Sequence, residues 1–301
     1  MRVVIALGGN ALLRRGEPPG ADIQSRNIAE AARLIAPIAR GHEVVITHGN
    51  GPQIGLLALQ AAACPAAKAY PLDVLGAESE GLIGYLLELA LANALPDRSV
   101  ATLLTQVEVD PADPAFAAPT KPIGPVYDDA EAKRIAEERG WPMMPDGTGW
   151  RRAVPSPMPL RICELPAIKT LLRTGFIVVC AGGGGIPTVA AETGERRGIE
   201  AVIDKDFAAA LLAESVGADF LLLLTDVPAV WTRWPMAAGT PIGKTTPAEL
   251  RRLTFAPGSM GPKVSAACRF VERTGRPAGI GTIEQAEAVL AAAAGTIVRA
   301  D

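Results

Sequence analysis

Apolar residues along this chain follow two rhythms. Short runs rich in Val, Ile and Leu occur at residues 2–7, 43–47, 99–106, 176–180, 219–224 and 277–281, with a weaker one at 296–299. They show little polar alternation, as expected of strands buried on both faces. Between them, apolar positions recur at helical spacing and predict helices near 22–40, 52–63, 74–95, 163–174, 205–216, 260–274 and 283–293. Strands alternating with helices predict an α/β fold, a mostly parallel sheet with helices on both faces. Right-handed crossovers then place a ligand outside the carboxyl ends of the strands.

One stretch breaks the rhythm. Residues 110–160 are rich in proline and polar residues, with a single helical piece near 128–139. A loop that long inside a compact domain is usually functional or a small subdomain, so 110–160 is expected to be a lid-like insertion. The chain has 301 residues, which allows one large domain or two smaller ones. No internal repeat is visible.

The predicted strands end in glycine. Residues 177–187 read IVVCAGGGGIP, a β-branched run that empties into Gly182, Gly183, Gly184 and Gly185 before Pro187. Such a turn allows positive φ and lets a ligand approach backbone N–H groups; a flexible linker is the alternative. Strand 2–7 ends in Gly8, Gly9 and Asn10, and strand 43–47 in His48, Gly49, Asn50, Gly51 and Pro52. Three glycine turns on one sheet edge favour a polyanion or two-substrate cleft. None fits the dinucleotide fingerprint, because Gly49, Gly51 and Gly55 are spaced one residue too long. Gly243, Lys244 and Thr245 imitate the end of a Walker A loop, but Ala238 occupies its first glycine position. His48 is expected to fix its turn, with a general-base role as the lesser alternative.

Charge narrows the chemistry. Only seven of the 29 basic residues are lysine, and besides Lys244 of the Walker-like triplet three of these adjoin proline or aspartate: Lys121 in PTKPIGP, Lys205 in VIDKD and Lys263 in PGSMGPK. A compact ammonium on a flexible stem suits a transferring phosphoryl group. Asp204 and Asp206 flank Lys205 at the start of a predicted helix, where one carboxylate can cap the helix or hold lysines in position. No Ser-His-Asp pattern appears; phosphoryl transfer needs none, only positive charge, in-line positioning and usually Mg²⁺.

Composition excludes other classes. The net charge is −3 with no basic cluster, which argues against nucleic acid or an anionic membrane as partner. Hydrophobic residues make up 49% but aromatics only 4%, so the core must be mostly aliphatic. No run is long enough for a membrane span, and the first residues lack a signal-peptide pattern. Cys64, Cys163, Cys180 and Cys268 are widely spaced, and with two histidines they predict buried hydrophobes rather than a metal site. A cytoplasmic location is expected.

A series of motifs, in order along almost the whole chain, resembles the carbamate kinases of the amino acid kinase family. They are LGGNAL (7–12), THGNGPQIG (47–55), LTQVEVDPADPAF (104–116), PTKPIGP (119–125), GWRRAVPSP (149–157), AGGGGIP (181–187), VIDKDFA (202–208), LTDVPAV (224–230) and PGSMGPK (257–263). The resemblance implies a three-layer αβα open sandwich around a mostly parallel eight-stranded sheet, with residues 110–160 as a protruding subdomain of one domain spanning 1–301. It implies reversible phosphoryl transfer between ATP and carbamate, giving ADP and carbamoyl phosphate, with Mg²⁺ bound mainly through the nucleotide phosphates. The direction implied is often ATP synthesis in arginine or related nitrogen catabolism, and the assembly a homodimer.

By the same resemblance, Lys121, Lys205, Asp206 and Lys263 form the catalytic set. Gly8, Gly9, Asn10, Gly49, Asn50 and Gly51 would cradle carbamate or the transferred phosphoryl group. Gly183 and Gly184 would approach the phosphates, and Thr225, Asp226, Val227, Ser259, Met260 and Gly261 would line the ATP side. No residue is assigned to a protein-bound metal. Related kinases of small carboxylates carry lysine where this chain has Asn10. Two alternatives stay open: a sibling kinase for another small carboxylate, and a non-catalytic nucleotide-binding protein.

Overall fold

The strands of the computed structural model run in chain order as β1 (Arg2–Leu7), β2 (Glu43–His48), β3 (Val100–Thr102), β4 (Gln106–Val109), β5 (Lys121–Tyr127) and β6 (Met143–Asp146). They continue as β7 (Gly149–Val154), β8 (Pro159–Ile162), β9 (Ile177–Val179), β10 (Ile186–Ala190), β11 (Arg196–Gly198) and β12 (Phe220–Thr225). The last are β13 (Val230–Trp231), β14 (Pro241–Ile242), β15 (Lys244–Thr245), β16 (Ala278–Thr282) and β17 (Thr296–Val298). The helices are α1 (Ala21–Gly41), α2 (Gly51–Ala63), α3 (Leu72–Ala94), α4 (Asp129–Arg139) and α5 (Leu165–Arg173), then α6 (Lys205–Val216), α7 (Pro247–Leu250), α8 (Met260–Thr274) and α9 (Ala286–Leu290). The structure describes all residues except 10, 11, 14–16, 18, 19, 64–69, 234–238, 256–259 and 301.

The main sheet has eight strands in the order β15-β17-β16-β12-β1-β2-β9-β3. From β16 to β3 every neighbouring pair is parallel. Only β17, antiparallel to β16, and its partner β15 reverse the direction. Successive side chains of one strand feed opposite cores, as the strand period of two requires. In β1, Val4 and Ala6 join the layer that includes α6 and α8, while Val3, Ile5 and Leu7 join α1 and α3. Leu221 and Leu223 of β12 repeat the first pattern, and Leu222 and Leu224 the second. The result is a three-layer αβα sandwich.

Three expectations need correction. The predicted strand 99–106 is two strands, because the chain leaves the main sheet after Thr102 and β4 enters a second sheet of order β11-β10-β4-β8. The break is held at Thr105, whose N–H donates to Glu80 and whose hydroxyl accepts from the Ala181 N–H. The helix expected at 283–293 is a 3₁₀ turn at 283–285 followed by α9, and the chain turns at Ala292 with φ of 56°. Finally, residues 110–160 hold more than one helical piece.

Within that stretch, β5, β7 and β6 form an antiparallel sheet with β7 in the centre. Pro122, Pro125 and Pro145 lie on the two edge strands, where a missing N–H leaves the ladder intact, so the prolines that masked the strands are tolerated. Tyr127, Ala132, Ile135 and Trp150 pack a small core of its own. Ile123 and Val154 instead pack against Ile54, Leu72 and Leu75 of α2 and α3. There the two backbones nearly touch: a Cβ on Gly55 of α2 would lie 2.5 Å from the Gly124 Cα of β5. No helix is long and apolar enough to cross a membrane among the described residues.

Candidate active site

Four adjacent parallel strands, β12, β1, β2 and β9, end on one edge of the sheet, and each runs directly into a turn singled out in the sequence. Gly8 is packed so tightly that an added Cβ would stand 2.9 Å from the Leu224 carbonyl oxygen. Next to it, the Gly49 N–H donates to the Leu7 carbonyl at 3.0 Å, which closes the β2 turn against β1. A Cβ on Gly49 would lie 3.0 Å from the Gly9 nitrogen and 3.4 Å from Cδ of Lys205, so these three residues converge.

The glycine run after β9 is buried, and its left-handed φ values of 69°, 100° and 83° at Gly183, Gly184 and Gly185 explain the residue type. Ala181, at φ 52°, takes the same strained region without being glycine. It is held from both sides: its N–H donates to Thr105 and its carbonyl accepts from Thr47 at 2.8 Å. The space where Cβ atoms would sit is filled by the protein itself, by His48 at Gly182, Asn50 at Gly183, Ile203 at Gly184 and Val107 at Gly185. The turn is therefore interlocked with β2, β4 and the segment before α6 as well as open in conformation.

The acidic start of α6 gathers the lysines. Asp204 caps α6, its Oδ1 accepting the Asp206 N–H at 2.9 Å, while its Oδ2 accepts from Lys121 Nζ of β5 at 2.8 Å. Asp206, in the first turn of α6, accepts from Lys205 Nζ at 2.6 Å on one oxygen and from Lys263 Nζ of α8 at 2.9 Å on the other. Both bonds are partly buried, with Asp206 itself only 3% exposed. Burial opposes the Asp206 charge, yet the two ammonium groups hold its carboxyl far below the usual range. Burial pushes the Lys205 ammonium down despite Asp206, and Lys263 beside it adds to that; for Lys263, burial is outweighed by Asp206 and its value rises. Lys205 and Lys263 lie in the first turns of α6 and α8, so two positive helix ends add to the field.

His48 is fully buried, with Nδ1 donating to its neighbour Gly49 carbonyl at 3.1 Å. Burial lowers its pKa to about 4, so it is neutral at physiological pH and braces the turn behind the Gly182 backbone. Thr225 ends β12 and its hydroxyl donates to Asp226 at 3.2 Å, with Val227 next in the chain. Met260 and Gly261 open α8 beside Lys263. Asn10 and Ser259 lie outside the described residues, as does Cys64. Of the Walker-like triplet, Lys244 is exposed on edge strand β15, and the Thr245 hydroxyl donates to Glu249 of α7.

Sequence reasoning missed two supports of these turns. Glu80 of α3 is 1% exposed and receives the Gly182 N–H at 2.8 Å and the Thr105 N–H at 3.1 Å. Ser79 beside it accepts from Asn50 at 2.8 Å. Their sequence signal is the polar stretch Glu78–Glu80 within the mostly apolar α3. At the opposite, amino-end edge lies an open groove of about 690 Å³ lined by Arg2, Arg40 and Arg98. Those guanidinium groups are already bonded to backbone carbonyls of Val216, Ala94 and Ala39.

Known proteins place this site in context. The chain is 56% identical over 301 residues to a carbamate kinase of Rhizobium meliloti, covering 99% of this chain and 93% of the relative. A structure of a carbamate kinase from Giardia lamblia bound to citric acid superposes with a TM-score of 0.94 at 40% identity, covering 100% of this chain and 98% of the other. The same enzyme bound to AMP-PNP gives 0.91 at 41% identity, with 100% and 98% covered. The amino acid kinase family profile matches residues 1–282. The chain belongs to the amino acid kinase family.

Proposed function

We propose that this chain is a carbamate kinase, catalysing reversible phosphoryl transfer from ATP to carbamate to give ADP and carbamoyl phosphate. The observation that carries the reading is the convergence of Lys205 and Lys263 on buried Asp206, with Lys121 arriving from the subdomain at the adjacent Asp204. A carbamate oxygen bonds to the γ-phosphorus as the bond to the ADP oxygen breaks, so no proton need be removed by the protein. What the reaction needs is charge held in place before it develops.

In this reading Lys205 and Lys263 neutralise the nucleotide phosphates and the growing charge on the leaving oxygen. Asp206 keeps both ammonium groups aimed and charged in a buried setting. Lys121 contacts the transferring phosphoryl group. Gly8, Gly9, Asn10, Gly49, Asn50 and Gly51 cradle the acceptor end, and Gly183 and Gly184 flank the phosphates. Thr225, Asp226 and Val227 line the ATP side with Ser259, Met260 and Gly261.

Among the described residues no three His, Cys, Asp or Glu side chains are grouped to hold a metal ion, and both Asp206 oxygens are committed to lysines. A Mg²⁺ fits here as a companion of the phosphates, held by their oxygens and water. It would supply charge neutralisation to the phosphates. The direct test mixes the protein with ADP, Mg²⁺ and carbamoyl phosphate and measures ATP by luminescence; ATP formation at the uncatalysed rate would refute the activity.

The finer setting follows from chemistry and surface. Carbamoyl phosphate is an acyl phosphate, so we read the physiological direction as ATP synthesis closing arginine or related nitrogen catabolism, in the cytoplasm. Leu82, Tyr85 and Leu89 leave α3 on one face, 41%, 62% and 47% exposed, with Leu104 nearby at 52%. A homodimer through this face would cover them. Light scattering of Tyr85→Asp at monomer mass, against a wild-type dimer, is the expected result.

A further inference from the structure

We propose that Asp204 is a positioning residue that docks the subdomain and aims Lys121. Its carboxylate has two jobs at once: Oδ1 caps α6 at the Asp206 N–H, and Oδ2 holds Lys121 Nζ at 2.8 Å. The pair spans two folding units, since Lys121 opens β5 of the small sheet and Asp204 precedes α6 of the main body. Both side chains are largely shielded, 26% and 19% exposed, which strengthens the pair beyond a surface contact.

The remaining subdomain contacts do not direct this lysine. The apolar contact of Ile123 and Val154 with Ile54 and Leu75 presses the sheet onto α2 and α3, and is non-directional. Arg152 of β7 reaches Glu200 at 3.7 Å, a partly exposed pair. The Val202 N–H also donates to the Pro155 carbonyl and ties the end of β7 to the main body. Among the described residues, however, the Asp204 bond is the contact made by the Lys121 ammonium itself, and it sets that ammonium relative to Lys205, the residue after Asp204. A lysine ammonium has three donors, so the bond to Asp204 leaves two for phosphoryl oxygens. Because Asp204 and Asp206 are fixed in the same first turn, one rigid element registers all three lysines.

This inference rests on the phosphotransfer reading for its kinetic arm only. Asp204→Asn keeps an oxygen for the cap and removes the charge that holds Lys121. We expect kcat to fall at least about tenfold with the KM for nucleotide little changed, as for a contact realised in the transition state. Combined with Lys121→Ala, the substitution should add nothing, because both remove the same interaction. Additive losses, or an unchanged kcat in Asp204→Asn, would overturn the proposal. A second arm needs no substrate: hydrogen exchange of residues 121–127 and 149–154 should quicken in Asp204→Asn while α6 stays protected. Unchanged exchange there would overturn the docking role even if the wild-type protein made no ATP. Faster exchange in α6 itself would mean that Asp204 serves only as the helix cap, and would equally overturn it.

Discussion

Glu80 gives this fold an unusual dependence on pH. Burial raises its carboxyl from the ordinary value near 4.5 to about 8, against the pull of the Thr105 and Gly182 N–H bonds and with a small push from Glu164. The unfolded chain releases this proton near pH 4.5, while the folded chain keeps it until about 8. Between those values the native state binds one proton more, so stability falls by about 1.4 kcal/mol per pH unit, roughly 5 kcal/mol in all. Glu80→Gln removes the titration. It also leaves one of the two N–H groups facing an amide NH₂ instead of an acceptor, at a cost of about 1–3 kcal/mol. The variant should therefore be the less stable protein near pH 5 and the more stable one near pH 9. Urea unfolding of both proteins across that range reads the crossing directly. Parallel stability curves would show that the Glu80 carboxyl does not stay protonated in the folded chain, and the burial argument would fail.

Other outcomes follow from the lysine cluster and the turns. Lys205→Ala or Lys263→Ala should lower kcat by at least about a hundredfold, the scale of losing a preorganised charge, and near-normal turnover in either would remove it from the catalytic set. Asp206→Ala strands two largely shielded ammonium groups and should cost about 3–5 kcal/mol in denaturant unfolding near neutral pH. Because the Asp206 carboxyl is depressed in the folded state, its contribution is present above the unfolded value and lost only as pH falls through the folded one. Gly183→Ala meets both a φ of 69° and the Asn50 side chain, so poor folding or a displaced Asn50 is expected, checked by thermal unfolding and acceptor KM.

The central sheet was readable because its strands are buried on both faces, which makes them continuous apolar runs in the chain. Edge strands β5 and β6 were not, since they carry Pro122, Pro125 and Pro145 and so resemble loop, and β7 between them opens on Gly149 and carries Arg151 and Arg152. The glycine turns announced themselves by composition, but not their filling: nothing local says that His48 and Asn50 occupy the space over Gly182 and Gly183. Asp204 was legible as a cap, a contact two residues away, whereas its bond to Lys121 spans 83 positions. Glu80 was overlooked because one acid among Asp73, Glu78, Glu80 and Glu88 of α3 looks like surface until its two distant N–H donors are placed.

The meeting of Gly55 and Gly124 bears on how the small sheet is carried. Side chains that interdigitate act as cogs: sliding one past another means lifting each from its slot. Here two bare backbones face each other, a smooth bearing rather than a gear. A rocking of β5 over α2 would meet little steric ratchet at that spot. Stiffness is then concentrated where chemistry can alter it, in the apolar pad around Ile123 and in the charge pair at its rim. A residue with any side chain at Gly55 would convert the bearing into a wedge.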